Sequence, residues 1–195
     1  MSVNQYHGFL KRESPRNREY LEECAKIINN HEIEINEDKI LDLLQIKLRF
    51  PEAAIDVLNH CGLFTKHFFD SNKYLIYEEW KKLYDYGFTT LLNNVLDLTA
   101  DLRSLDQKIL PLKGSYTNAN FYLSKGTMSR RPSFDLHNHD YDVIVKPIYG
   151  KSIWVVGNEE FELSPDTIII IPAFTDHCVV SSPEKRLSLT INLTK

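Results

Sequence analysis

Cysteine is scarce in this chain, and its spacing excludes more than its number. Cys24, Cys61 and Cys178 are odd in count and never in CxxC spacing. That argues against a disulfide framework or a cysteine zinc site and predicts reduced thiols in a cytoplasmic protein. Long apolar runs are missing too. The run from Thr167 to Ala173 falls far short of a bilayer, so no membrane partner is expected. Met1 to Arg12 has mixed polarity and no apolar centre, which predicts no secretory signal. There is no excess of positive charge: 23 Lys and Arg against 27 Asp and Glu leave -4, giving no electrostatic reason to expect nucleic acid. Internal repeats and low-complexity linkers are absent as well.

What is present is the composition of an ordinary globular protein, 43% hydrophobic and 26% charged over 195 residues. That length supports one core, or one core with a helical extension. The chain divides near residue 112. Residues 1–112 read as a mostly helical region packed on the rest, and residues 113–195 as a β core. Ser14-Pro15 reads as N-cap and first helical residue, with Leu21, Cys24, Ile27 and Ile28 at helical spacing to about Asn30. Asn36 caps a second helix with Ile40, Leu43, Leu44 and Leu48 as its stripe. Pro51 is expected to open a third helix that holds Ala54, Ile55 and Leu58 and closes at Gly62. Further helices are expected over Glu78 to Asp85 and from Leu98-Thr99 through Ile109, with a strand at Thr89 to Leu92 between them.

After residue 112 the period shortens to that of strands. The runs are Ala119 to Ser124, Ser133 to His139, Asp142 to Val145, Ser152 to Val156, Glu160 to Leu163, Thr167 to Ile171, Cys178 to Ser181 and Leu187 to Leu193. Turn residues such as Gly150, Gly157-Asn158 and Ser182-Pro183 separate them. Short strands at this spacing predict a sandwich or barrel. In Leu187 to Leu193 the odd positions are apolar, and the even ones are Ser188, Thr190 and Asn192. That polar face meets water in a one-sided sheet, or lines a cavity in a barrel.

Chemistry enters with His137-Asn138-His139 and a third histidine, His177, about forty residues on. Histidines at i and i+2 of a strand share a face, and a third from another strand would complete a facial set of metal ligands with open positions. The bland alternative is a pair of surface or hydrogen-bonded histidines. His60 and His67, in the helical part, read as ordinary. Cys178 reads as a buried structural thiol.

The segment Asp142-Val-Ile-Val-Lys-Pro-Ile-Tyr-Gly150-Lys-Ser-Ile-Trp154 resembles the one that follows the first metal ligands in JmjC-type cupin oxygenases. Leu163-Ser-Pro-Asp-Thr-Ile-Ile-Ile-Ile-Pro-Ala-Phe-Thr-Asp-His177 resembles that family's distal-histidine segment. Gly87 to Asn94 and Asn118 to Ser124 are similar to lead-in strands of the ribosomal oxygenases, the group most resembled. The resemblance runs over roughly residues 80 to 195. It implies a mainly β fold with an N-terminal helical region, namely a double-stranded β-helix. It also implies hydroxylation of a peptide, protein or small molecule with Fe(II) and 2-oxoglutarate, and a homodimer is compatible with it.

Carried over by residue, His137 takes the first ligand position and His177 the distal one. His139 stands where the family's HxD has a carboxylate, so the chain carries HxH. Ser152 stands where a lysine would hold 2-oxoglutarate, and Asn192 falls where a polar residue lies near that cosubstrate. Lys151 points to the opposite face of a regular strand, and Lys146 is out of phase with the histidine pair. Asn120, Tyr122 and Trp154 are candidates for a substrate pocket, although aromatic residues in a barrel also serve its core. Three neutral imidazoles keep two other readings open: a three-histidine cupin dioxygenase that does not use 2-oxoglutarate, and a cupin that binds without catalysis.

Overall fold

A computed structural model of the chain describes residues 13–46, 50–59, 61, 64–113, 117–126 and 134–194. The expectations placed on Met1 to Arg12, Leu48, His60, Gly62 and Ser133 lie outside these residues.

Helix α1 spans Pro15–Asn30, with the Ser14 side chain accepting from the Asn17 amide at its N-terminus. Asn36 likewise caps α2, Glu37–Leu44, through the Lys39 amide. After Pro51 the chain makes only a 3₁₀ turn, Glu52–Ala54, and then a strand β1, Ile55–Leu58. The expected third helix is therefore corrected. Ile55 and Val57 are β-branched and buried with the half-buried Asp56 between them, a strand alternation that tertiary pairing completes. Strand β2 is Phe64–Thr65, helix α3 is Tyr77–Asp85, strand β3 is Thr89–Leu92 and helix α4 is Ala100–Lys113.

The remaining strands are β4, Thr117–Ser124; β5, Asp142–Tyr149; β6, Ser152–Val156; β7, Glu159–Leu163; β8, Ile169–Ile171; β9, His177–Ser181; and β10, Arg186–Leu193. They form two antiparallel sheets, one of seven strands in the order β2-β1-β3-β4-β10-β5-β8 and one of three in the order β7-β6-β9. The larger sheet thus takes in strands from the part of the sequence read as helical. Strand β8 starts later than expected because Thr167 closes a turn on Ser164 through both its amide and its hydroxyl.

Strand alternation sends side chains to two separate cores. On β10, Leu187, Leu189, Ile191 and Leu193 join Ile144 of β5, Ile170 of β8 and Phe121 of β4 in a core shared with α1 and α4. The opposite faces of β5 and β8 supply Val143, Val145, Ile169 and Ile171, which meet Trp154, Val156 and Leu163 of the smaller sheet. The helices therefore cover the outside of the larger sheet, and the second core fills the space between the sheets. Lys146 ties the two parts together. Its ammonium donates to the carbonyls of Ile28, Asn29 and His31 at the C-terminal end of α1, where a cation complements the helix dipole. Among the described residues, no helix is long and apolar enough to cross a membrane.

Candidate metal centre

His137 and His139 do not lie on a strand. The expected run to His139 is an extended segment joined to β9 by a single bridge, His137 to His177, with amide-to-carbonyl distances of 3.2 and 2.8 Å. Asp135, Asn138 and Asp140 turn outward and are exposed, so no two-sided apolar pattern sustains a longer ladder. Three other contacts hold the segment. The Phe174 amide donates to the His139 carbonyl at 2.6 Å. Asn138 Nδ2 donates to Asp176 Oδ1 at 2.6 Å. Buried Asp142 accepts from the Ala173 amide at 2.9 Å, fixing the turn that leads into His177.

This scaffold brings the three histidines together. Their ring centroids lie 4.9 Å (His137–His139), 4.5 Å (His137–His177) and 5.2 Å (His139–His177) apart. One ligand nitrogen from each falls within 4.8 Å of the other two. His137 Nδ1 is 2.7 Å from the Asp135 carbonyl, and His177 Nδ1 is 2.9 Å from the Thr175 carbonyl. A carbonyl only accepts, so both Nδ1 atoms carry the ring proton and both Nε2 atoms present a lone pair. His139 stacks on Tyr141 with centroids 4.6 Å apart and planes 7° from parallel, which fixes its orientation through packing.

Burial favours the neutral ring at His177 and His139. Burial pushes His177 down to about 4, against the opposing effect of its bond to Thr175 and with help from the neighbouring histidines. Burial, and then His137, lowers His139 too. Neutral imidazole is the form that binds metal, and the donor set suits Zn, Cu, Fe or Ni. Bonds of about 2.1 Å at right angles put ligand nitrogens roughly 3 Å apart, so each nitrogen need move by less than about 1 Å to close on one ion. The residues present fit a divalent metal.

The triad sits at a cavity between the sheets. Asn120, Tyr122, Trp154 and Asn192, all expected near a site, line it with the histidines. Asn192 also donates to Asn118 at 2.6 Å. Ser152 is placed differently. It is buried behind Trp154, accepts the indole N–H at 2.9 Å, and is not part of the cavity wall. Lys151 points outward to Glu162 at 2.8 Å, and Lys146 is spent on α1. Asp142 serves the turn, and His67 is exposed, far from any part in the triad. The polar face of β10 lines the cavity through Ser188, Thr190 and Asn192, which decides between the two readings of that strand.

The charged residue of the cavity wall was not anticipated. Arg186, the first residue of β10, is 2% exposed and belongs to the wall. Burial lowers it to about 10, with Tyr122 opposing, so it stays protonated at neutral pH. The alternation of β10 carried back two residues from Ser188 would have found it.

No family model matches the chain, and no curated protein matches it. Solved structures do. The ribosomal oxygenase YcfD from Escherichia coli superposes with a TM-score of 0.58 at 16% identity, over 86% of this chain and 47% of that one. YcfD in complex with cobalt and 2-oxoglutarate gives 0.55 at 16% identity over 86% and 46%. Its complex with cobalt and succinic acid gives 0.57 at 16% identity over 85% and 46%. This chain thus spans less than half the length of the YcfD chains it matches. At such identity the likeness speaks for the fold. The chain carries the cupin fold in its JmjC-type form, the double-stranded β-helix shared with the ribosomal oxygenase YcfD.

Proposed function

We propose that this protein is an Fe(II)-dependent oxygenase of the cupin/JmjC-like type that hydroxylates a peptide, a protein or a small molecule with 2-oxoglutarate as cosubstrate. The observation that carries the reading is the convergence of His137, His139 and His177 at the cavity, two of them with the tautomer set by a backbone carbonyl. When bound, the metal would supply dioxygen activation and hold substrate at its open positions. The chain's own part is to hold three neutral imidazoles and to keep water out. Trp154, Val143 and Val145 form the apolar wall beside the triad. The bound 2-oxoglutarate in the YcfD complex supports the cosubstrate on grounds of fold.

A second reading has its own support. His139 supplies no negative charge where the family has a carboxylate, and Ser152 is not on the cavity wall. A three-histidine dioxygenase that acts without 2-oxoglutarate is consistent with both facts. Incubation with Fe(II), 2-oxoglutarate and candidate peptides, following succinate and oxygen together, separates the two. Succinate formed in step with oxygen uptake supports the leading reading. Oxygen uptake that ignores 2-oxoglutarate supports the second, and neither signal with iron bound would refute both.

A further inference from the structure

The two edges of the smaller sheet are built differently. Strand β7 forms one edge and β9 the other. An open edge invites pairing with another chain, and charged side chains are the usual defence. Strand β7 has that defence in exposed Glu159, Glu160 and Glu162. Strand β9 has none: after His177 and Cys178 it continues as Val179, Val180 and Ser181, all half-buried.

The backbone of β9 shows where this edge is open. His177 exchanges both main-chain bonds with His137, so its N–H and C=O face away from β6. The register with β6 is regular from Val156–His177 to Trp154–Val179, so the N–H and C=O of Val179 face the same way. Continued antiparallel pairing would set Asp135 opposite Val179. Instead the Asp135 carbonyl accepts from His137 Nδ1, and Phe134 turns toward Tyr122 of β4 and Phe64 of β2, with ring centroids 6.2 and 6.1 Å away. Among the described residues nothing pairs with the outward groups of Val179. The surroundings have one sign of charge. Residues 134–141 and 174–181 hold Asp135, Asp140 and Asp176 and no Lys or Arg. Burial, and then the charge of Asp135, raises the Cys178 thiol, which sets that exposed carboxylate beside the edge.

We propose that the free edge of β9 at Val179 takes an extended peptide as an added strand, with a cationic residue of the peptide beside Asp135. Main-chain groups recognise main chain, so an extended segment meets the outward N–H and C=O where a compact small molecule does not. His177 and Val179 share the cavity face of β9. Every second side chain of a strand added there would turn to that same face, so one of them would enter the cavity beside the triad. The proposal rests on the oxygenase reading only for what then happens at the metal, and it selects a peptide segment from the substrates considered above.

The test titrates the whole chain, metal-free and loaded with Mn(II), with an octapeptide that alternates threonine and valine between lysine ends. Binding at about 1 mM or tighter is expected. At saturation, amide hydrogen exchange at Val179 should slow by about 10-fold or more, with the β6 amides unchanged. A strand has two edges, so two analogues are made, each N-methylated on the alternate amides of one edge. One should bind about 10-fold weaker and the other like the parent. Val179→Pro removes the outward N–H and leaves the β6 bonds in place, so it should weaken binding by about 10-fold. If that variant fails to fold, the exchange data and the analogues carry the comparison. Glutamate ends should weaken binding by about 3-fold or more, and Asp135→Asn should erase the difference. No peptide binding, unchanged exchange at Val179, or equal affinity of the two analogues overturns the proposal, and indifference to the end charges overturns the contact with Asp135. A dimer that Val179→Pro dissociates, with no peptide bound, would give the edge to a second copy of the chain and overturn it as well. Peptide bound without Mn(II) would refute the metalloenzyme reading and leave the edge standing; Mn(II) bound without peptide would refute the edge alone.

Discussion

Gly150 is the position where one added methyl group should do the most harm. It joins β5 to β6 with a φ of +74°, in the left-handed region. A Cβ built there falls 1.9 Å from the Lys185 carbonyl oxygen and 2.8 Å from the Arg186 Cα. An L-residue in that conformation costs about 1–2 kcal/mol. The overlap is with backbone, so no rotamer change relieves it. The turn and the start of β10 must separate, and overpacking of that kind costs about 1–3 kcal/mol. Gly150→Ala should therefore lose about 3 kcal/mol, which for a chain of this length lowers the melting temperature by about 6–12 °C. Thermal melts and urea titrations followed by circular dichroism measure it, with the midpoint moving and the slope unchanged. A variant that melts within about 2 °C of wild type, under 1 kcal/mol, would refute the close approach of this turn to β10.

Two further outcomes follow from the packing and the charges. The chain has two tryptophans, and only Trp154 is near the triad, with its ring 6.4 Å from that of His177. Trp80 is buried and bonded to Thr90. Co(II) should therefore quench fluorescence in wild type and Trp80→Phe but not in Trp154→Phe, and equal quenching in both variants would place the ion elsewhere. Glu37 tests linkage. Burial alone would raise its carboxyl, but hydrogen bonds from Lys185 and Tyr84 outweigh that and lower it below its ordinary 4.5. A lowered folded value means that the stabilisation is present above pH 4.5 and is lost as pH falls through the folded value. Glu37→Gln should cost about 1 kcal/mol at pH 7, with the difference from wild type shrinking below pH 4.5 in urea titrations, and a difference that grows in acid would contradict the assignment.

The strands and the triad were largely legible in the sequence because period and turn residues act locally. Ser14-Pro15 and Asn36 announced their helices through capping chemistry, and both caps are made. The alternation in Leu187 to Leu193 announced two faces, but only the closed barrel shows that the polar face looks inward. Two features escaped for physical reasons. Ile55 to Leu58 follows a proline and looks helical in isolation, yet pairing with β3 on one side and β2 on the other makes it a strand. Arg186 follows Lys185 and a serine-proline turn, so it reads as a solvated loop charge until β10 is seen to begin with it. The histidine segment reached the right place by a different route: the bridge to His177 and the contacts of Asn138 and Phe174 do the work assigned to a strand.

The central claim is that His137, His139 and His177 hold one metal ion. It is tested most directly by metal content after anaerobic loading with Fe(II) or Co(II) and desalting, on wild type and on the three single alanine variants, with folding checked by circular dichroism. The account predicts about one ion per wild-type chain, as a closed donor set requires, and a large loss in each folded variant. A wild-type chain that retains no metal, or variants that retain as much as wild type, would contradict it.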